Sequence, residues 1–234
     1  MNYHANNVIF RHMVVIHDKR GEVMHKSIIA FEGWPFIIPG ILLSIATGLH
    51  SIKWSIPFII LTLFTVWFFR NPPRRIAESP GVIVAPADGK VMSINAVHED
   101  KFMGNESIQI RIFLNIFSVH INRVPVQAKV DWIHRTGGLH LPAYKTEAGD
   151  RNVQNYVGLI TEWGKILVVQ ITGLVARRIV CWVQPGDEVN TGQRFGLIRF
   201  GSCTELYLPC DVELAIQPGD RLKGGKTVIG KFNI

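Results

Sequence analysis

Residues 34–69 carry a single charged side chain, Lys53, in a run of Ile, Leu, Val, Phe and Trp broken only by Pro, Gly, Ser, Thr, Ala and His. A stretch this apolar folds either as a helical hairpin buried inside a protein or as one immersed in lipid, where helices satisfy their own backbone polar groups. Its two arms, 34–49 and 54–69, each fall short of the roughly 20 residues that cross a bilayer upright, which points to a tight or partly re-entrant membrane hairpin. Trp34, Trp54 and Trp67 lie near the ends of the arms, where amphipathic rings favour the headgroup layer. Arg11, Lys19, Arg20 and Lys26 precede the first arm, Arg70, Arg74 and Arg75 follow the second, and only Lys53 lies between. That bias puts both ends inside, so the expected location is the cytoplasmic face of the cell membrane. A cleaved signal peptide is disfavoured, because roughly thirty polar and mixed residues come before the apolar block.

The Pro72-Pro73 pair disfavours any continuation of the second arm and opens a different regime. Three parts are expected: an N-terminal segment 1–33, a membrane-anchoring hairpin 34–69 and a catalytic domain 70–234. In the last, Val- and Ile-rich runs at 90–97, 107–114, 166–171 and 178–183 alternate with Gly, Pro, Asp and Asn turns, which predicts a mainly β, antiparallel domain. Residues 146–155 could hold a short helix or an ordered loop. One repeat is visible: QPGDEVNTGQ at 184–193 and QPGDRLKGGK at 217–226 share Gln-Pro-Gly-Asp and a later glycine. Each reads as a turn in which Pro presets φ, Gly takes a conformation closed to other residues and Asp bonds nearby amides. With PADGKV at 86–91, these turns resemble the flattened barrels of lipoyl and biotinyl carrier domains.

The formal net charge of +7 suits an anionic membrane, an acidic ligand or nucleic acid. The basic residues are scattered, however, without the like-charge run or basic–aromatic interleaving of a nucleic-acid binder, and no nucleic-acid partner is expected. Cys181, Cys203 and Cys210 form an odd set without paired spacing, so neither a disulfide framework nor a metal site is indicated.

The chemistry is concentrated in RFGLIRFGSCTELYLP at 194–209, where Gly201-Ser202 interrupts a strand pattern. Taken alone, a glycine in a strand marks a bulge or bend. Its company raises it: Asp88 sits in PADGKV and His120 in FSVHINRVP, and Ser, His and Asp together can form an activating relay.

These segments, with QITGLVARRIV at 170–180 and FFRNPPR at 68–74, resemble the compact, short-proenzyme phosphatidylserine decarboxylases, from about residue 28 to the C-terminus. The resemblance implies a proenzyme that cuts itself between Gly201 and Ser202 into chains 1–201 and 202–234. These would stay together as a heterodimer, and the family likeness alone suggests that heterodimers pair further. Ser202 would become a pyruvoyl cofactor, forming a Schiff base with the serine amine of phosphatidylserine in the membrane and releasing the ethanolamine lipid. His120 is the candidate proton carrier and Asp88 the carboxylate that orients it. Where larger bacterial members carry a second histidine, this chain has Arg123, which either binds the lipid phosphate or the substrate carboxylate or leaves His120 to serve both steps. Arg151 and Asn152 fall where related sequences often have an Arg-Asn pair, contacting substrate or forming a turn. Arg177 and Arg178 bind phosphate or lie on a solvated strand edge. Cys203, intrinsically the stronger nucleophile, reads as a small apolar filler. Two rivals remain open: a non-catalytic membrane-tethered carrier or scaffold with a lipoyl-like domain, and a pyruvoyl decarboxylase of another serine lipid or a free amino acid. The first lacks a carrier's modifiable lysine, since neither Lys90 nor Lys223 has the expected neighbours.

Overall fold

The structure, a computed structural model, describes residues 27–76, 79–139, 141, 151–173, 178–199 and 202–233. The chain divides into two compact units, one ending at Pro73 and the other Arg74–Ile234.

The first unit is a helical hairpin. Helix α1 (Trp34–His50) and helix α2 (Ile52–Phe68) are separated by Ser51, whose extended backbone breaks the helical path. They pack antiparallel with small residues on the seam: a Cβ on Gly40 would lie 2.4 Å from Thr62 Oγ1, and one on Gly48 would sit 3.6 Å from Ser55. Close approach at Gly, Ser and Thr is how helices associate where lipid removes the hydrophobic drive between them. The hairpin's base is tied by the Ala30 amide donating to the Phe69 carbonyl and the Asn71 amide to that of Ile28, at 2.8 and 2.6 Å. Leu42, Leu49, Ile60, Leu61 and Leu63 are 61–86% exposed, and a surface of this kind needs a covering. Together with its preceding 3-10 turn, α1 covers Phe31–His50 and is long and apolar enough to cross a membrane, whereas α2 has 17 residues.

The second unit is mainly antiparallel β, as expected. Strands β1 (Val82–Val84), β2 (Gly89–Glu99), β3 (Asn105–Leu114), β4 (Ile121–Arg123), β5 (Ala128–Thr136), β6 (Gln154–Thr161) and β7 (Gly164–Ile171) form its first part. Then come β8 (Ile179–Cys181), β9 (Glu188–Val189), β10 (Arg194–Ile198), β11 (Ser202–Pro209), β12 (Glu213–Leu214), β13 (Arg221–Leu222) and β14 (Val228–Lys231). An eight-stranded sheet has the order β13-β2-β3-β11-β7-β6-β5-β9, and two three-stranded sheets run β1-β14-β12 and β4-β10-β8. Of the segment 146–155, residues 146–150 lie outside the described residues, and Gln154 and Asn155 open β6.

The strand order is a palindrome. On one side of the central pair β11-β7 the hairpin β2-β3 is edged by β13; on the other the hairpin β6-β5 is edged by β9. The register of β2 slips between Val91 and Ser93, and that of β5 between Val130 and Trp132, at matching places. The segments leading into these strands cross and exchange hydrogen bonds reciprocally: Val84 N donates to Pro125 O and Arg123 N to Pro86 O, both at 2.8 Å. Each Gln-Pro-Gly-Asp turn then caps its own half. Gly219 N donates to Val91 O and Gly186 N to Val130 O, at 2.9 and 2.7 Å, while Asp220 and Asp187 accept from the amides of Gln217 and Gln184. Gly186 and Gly219 have φ of +97° and +102°, which is why the turns require glycine. Inside, Ile83, Val91, Ile110, Ile112, Val130, Leu159, Val168, Leu206 and Leu208 form one continuous core.

Candidate functional site

Ser202 is the first residue of β11, which lies between β3 and β7 in the middle of the large sheet. It faces Leu114 of β3 in register and is fully buried, yet its hydroxyl oxygen has no hydrogen-bond partner among the described residues. Gly201 lies outside the described residues. Alternation along β11 puts Ser202 and Thr204 on the face of Leu206 and Leu208, and Cys203, Glu205 and Tyr207 on the other.

His120 immediately precedes β4 and is fully buried. Its Nδ1 lies 3.0 Å from the Ser118 carbonyl. A carbonyl only accepts, so Nδ1 carries the proton and Nε2 is the basic nitrogen. Two residues on, Asn122 Nδ2 donates to Thr204 Oγ1 at 2.9 Å, joining the segment that bears His120 to the strand that begins with Ser202. The link continues inward: Gln170 donates to Asn122 Oδ1 at 2.9 Å, Asn155 to Gln170 Oε1 at 2.8 Å and Arg135 to Asn155 Oδ1 at 3.0 Å. Asn122, Gln170, Asn155 and Thr204 are all fully buried. A satisfied polar chain of this kind fixes the relative placement of β4, β11, β7 and β6 more narrowly than apolar packing does.

Asp88 lies in the turn before β2. Its carboxylate accepts from Arg74 at 2.8 and 3.1 Å and from the Gly224 amide at 2.7 Å. The expectation that it orients His120 has no counterpart among the hydrogen bonds of the described residues, because Arg74 and Gly224 hold the carboxylate instead. Arg123 belongs to the same neighbourhood. Its side chain donates to the Gly192 carbonyl at 2.9 Å, and its Cδ lies 2.6 Å from where a Cβ on Gly225 would stand. Across the β4-β10 ladder it is in register with Arg194. Burial first, then the charges of Arg194 and Arg74, lowers the Arg123 guanidinium to about 10, and Asp88 only partly offsets this.

The remaining candidates separate. Asn152 is buried and its amide is fully used: Nδ2 donates to the carbonyls of Leu141 and Thr172, and Oδ1 accepts from the Leu141 amide. Arg151 beside it is exposed, and its carbonyl accepts from Leu139 N at 2.6 Å. Arg177 lies outside the described residues. Arg178 is exposed, and its carbonyl accepts from Arg199 N at 3.2 Å. Cys203 is buried; desolvation first and Glu205 next push its thiol up to about 12, so no nucleophilic thiolate is available near neutrality. No group of His, Cys, Asp and Glu among the described residues could hold a metal ion.

Sequence reasoning missed Arg74 and Arg194 as site residues and missed the Asn122–Gln170–Asn155 chain. The arginines stand inside quoted motifs, but only the fold brings Arg74 to Asp88 and Arg194 beside Arg123. The amides lie on alternate strand positions that read as core. Also missed was the cluster behind β11, where Glu205 pairs with Arg111 at 2.9 Å and accepts from Tyr207 at 2.8 Å. Burial first, then Glu205, raises the Tyr207 hydroxyl well above its ordinary value.

Comparison with known proteins bears on this arrangement. The family model described as phosphatidylserine decarboxylase matches residues 61–230. A phosphatidylserine decarboxylase proenzyme of Symbiobacterium thermophilum is 46% identical over 212 residues, covering 89% of this chain and 98% of its own. Proteins of the same name from Carboxydothermus hydrogenoformans and Syntrophus aciditrophicus are 43% and 41% identical, covering 86% and 89% of this chain and 95% and 99% of theirs.

Proposed function

The chain belongs to the phosphatidylserine decarboxylase family and converts phosphatidylserine into phosphatidylethanolamine, and we propose that it does so with a carbonyl group made from its own Ser202. One observation carries that mechanism: a fully buried serine hydroxyl at the head of the central strand that no described residue engages. Leaving a buried hydroxyl unpaired costs about 1–3 kcal/mol, and native structures rarely keep one without a use.

In the self-processing step Ser202 Oγ gives up its proton and attacks the Gly201 carbonyl carbon. The C–N bond breaks, the Ser202 nitrogen gains a proton and the amide becomes an ester. His120 Nε2 is the proton carrier, its ring held by the Nδ1–H donated to Ser118. Loss of a proton from the Ser202 α-carbon, with departure of the Gly201 carboxylate from Cβ, leaves a carbon–carbon double bond. Tautomerisation and uptake of water then release ammonia and leave a ketone. The resulting pyruvoyl group supplies an electron sink for the pair left behind when carbon dioxide departs. In turnover His120 returns a proton to the former α-carbon, while Arg123 and Arg151 meet the anionic groups of the head group. Asn152 braces the loop that carries Arg151. Asp88 orients the arginine side of the site; to act as the acid of a Ser–His–Asp relay it must first leave Arg74.

After the cut, chain 202–234 contributes β11 to β14 and stays bound as a heterodimer, because β11 keeps its ladders to both β3 and β7. A further pairing of heterodimers follows the family likeness. The hairpin of α1 and α2 anchors the enzyme at the cytoplasmic face of the cell membrane, within reach of its lipid substrate. The 1–33, 34–69 and 70–234 organisation is part of this reading. The duplicated turn-and-crossing unit supports the lipoyl-like likeness, here used for catalysis rather than to carry a lysine.

Intact mass under denaturing conditions tests the proposal. The expected result is a fragment of residues 202–234, lighter by one ammonia than its serine-started form. A single uncut chain after prolonged incubation refutes it.

A further inference from the structure

The cations around Asp88 outnumber their counter-ions. Arg74 and Arg194 both act on Arg123, and Asp88 is the single carboxylate that does. Arg74 is committed to Asp88. Arg194 is half-buried in register with Arg123, and its side chain makes no hydrogen bond or ion pair with any described residue. Guanidiniums gathered with one carboxylate repel one another, and a further anion would relieve that repulsion. Burial is the larger cause of the lowered Arg123 pKa, and the charges of Arg194 and Arg74 add to it.

The distance to the reacting centre fits a head group. Lys90, two residues after Asp88, faces Phe113 on β3, and the next residue of β3, Leu114, faces Ser202 on β11. Two strand spacings, about 10 Å, therefore separate the Asp88 turn from Ser202. Arg74 from the linker meets Asp88 at that turn, with Arg123 of β4 and Arg194 of β10 beside it, and an arginine side chain is long enough to leave only the few bonds between a serine amine and its phosphate to be bridged. Resting on the decarboxylase reading, we propose that Arg194, with Arg74 and Arg123 beside it, binds the phosphodiester of the substrate lipid. The carboxylate is the poorer candidate. It loses its charge as carbon dioxide leaves, so cations gripping it would stabilise the ground state more than the transition state and slow the reaction. The phosphodiester keeps its charge throughout and can be held tightly without that penalty.

Binding that is equal in the ground and transition states changes KM and not kcat. The test compares wild type with Arg194→Gln and Arg194→Lys, each confirmed by intact mass to be cut, on short-chain phosphatidylserine in mixed micelles. For Arg194→Gln, KM is expected to rise roughly tenfold, the loss of one charge-assisted hydrogen bond, with kcat within about twofold and Arg194→Lys in between. Inorganic phosphate should compete with substrate in wild type and lose potency in Arg194→Gln. An unchanged KM, or a fall in kcat with slowed cutting, overturns the assignment. So does stimulation of wild type by inorganic phosphate, which would mark a site for a free anion. The uncut Ser202→Ala chain separates this proposal from the self-processing reading. Inorganic phosphate should raise its unfolding temperature and leave that of Ser202→Ala/Arg194→Gln unmoved, whether or not Ser202 is the cleavage point.

Discussion

Residues 82–91 and 121–130 do the same structural work with different residues. Both enter the large sheet through a proline-containing crossing, exchange one backbone hydrogen bond with the other, and bulge at the same place in the strand that follows. Pro86 matches Pro125, Lys90 matches Lys129 and Val91 matches Val130. Where chemistry is needed the match fails. Asp88 stands opposite exposed Gln127, Arg123 opposite buried Val84, and buried Asn122 opposite buried Ile83. The two halves thus separate what the fold requires, which is repeated, from what the site requires, which is not.

The central strands sharpen the contrast most. β7 begins at Gly164, whose φ of +120° closes a tight hairpin from β6, whereas β11 begins at buried Ser202 with an unengaged hydroxyl. Ser202→Ala is expected to abolish cutting and all decarboxylation while leaving the fold intact, as an uncut band on a denaturing gel and an unchanged thermal melt. Gly164→Ala should do the reverse. It strains the turn by about 1–2 kcal/mol, lowers the melting temperature and leaves a fully cut enzyme. A Gly164→Ala chain that folds yet stays uncut would show that the two strands are not separable in this way.

Much of this was legible in the chain. The apolar arms, the β-rich runs and the two Gln-Pro-Gly-Asp turns follow from periodicity and turn chemistry, which are local, and the structure has all three. Ser202 and His120 were found through motifs. The crossing of residues 82–91 with 121–130 was not, because the likeness between PADGKV and PVQAKV is too short to stand out and its meaning lies in hydrogen bonds between segments far apart. The pairing of Asp88 with Arg74 was not legible for the same reason. A carboxylate's nearest cation is set by tertiary placement, and Arg74 approaches from the linker rather than from either strand.

The second contrast sets Asp88 against Gln127. Arg74 and Asp88 are 12% and 17% exposed at the side chain, so Asp88→Asn leaves a largely buried guanidinium beside two others. A loss of about 2 kcal/mol is expected in urea unfolding, together with slower self-cleavage. Gln127→Ala, at the equivalent exposed position, should fall within about 0.5 kcal/mol of wild type. Equal effects at the two positions would mean that the crossings share a structural role for this side chain.

A third pair lies in the turns. Gly192 and Gly225 have φ of +72° and +71° and donate to Val124 O and Ala85 O, one in each half. Alanine at either should cost about 1 kcal/mol in backbone strain. The consequences differ in what the new methyl meets: the Ile76 side chain at 2.5 Å from position 192, and Arg123 Cδ at 2.6 Å from position 225. Gly225→Ala should therefore raise KM for phosphatidylserine as well as lowering stability, whereas Gly192→Ala, whose methyl meets no arginine, should move KM less, and only through the carbonyl that Arg123 donates to.

A last contrast distinguishes the central strands through pH, with an effect that is nil at neutrality and emerges only in alkali. β7 buries no acidic group, while β11 buries the Cys203 thiol, held protonated up to about 12 against an ordinary value of 9.0. Above that ordinary value the unfolded chain releases the proton and the folded chain keeps it, so the unfolded state binds fewer protons and stability falls as pH rises. The decline begins near pH 9 and levels off as the folded thiol ionises near 12. Cys203→Ala should flatten this part of the stability profile, measured by urea unfolding between pH 8 and pH 11. The same burial predicts that iodoacetamide labels Cys210 in the native protein and reaches Cys203 only after unfolding. Rapid native labelling of Cys203 would mean that the head of β11 opens to solvent.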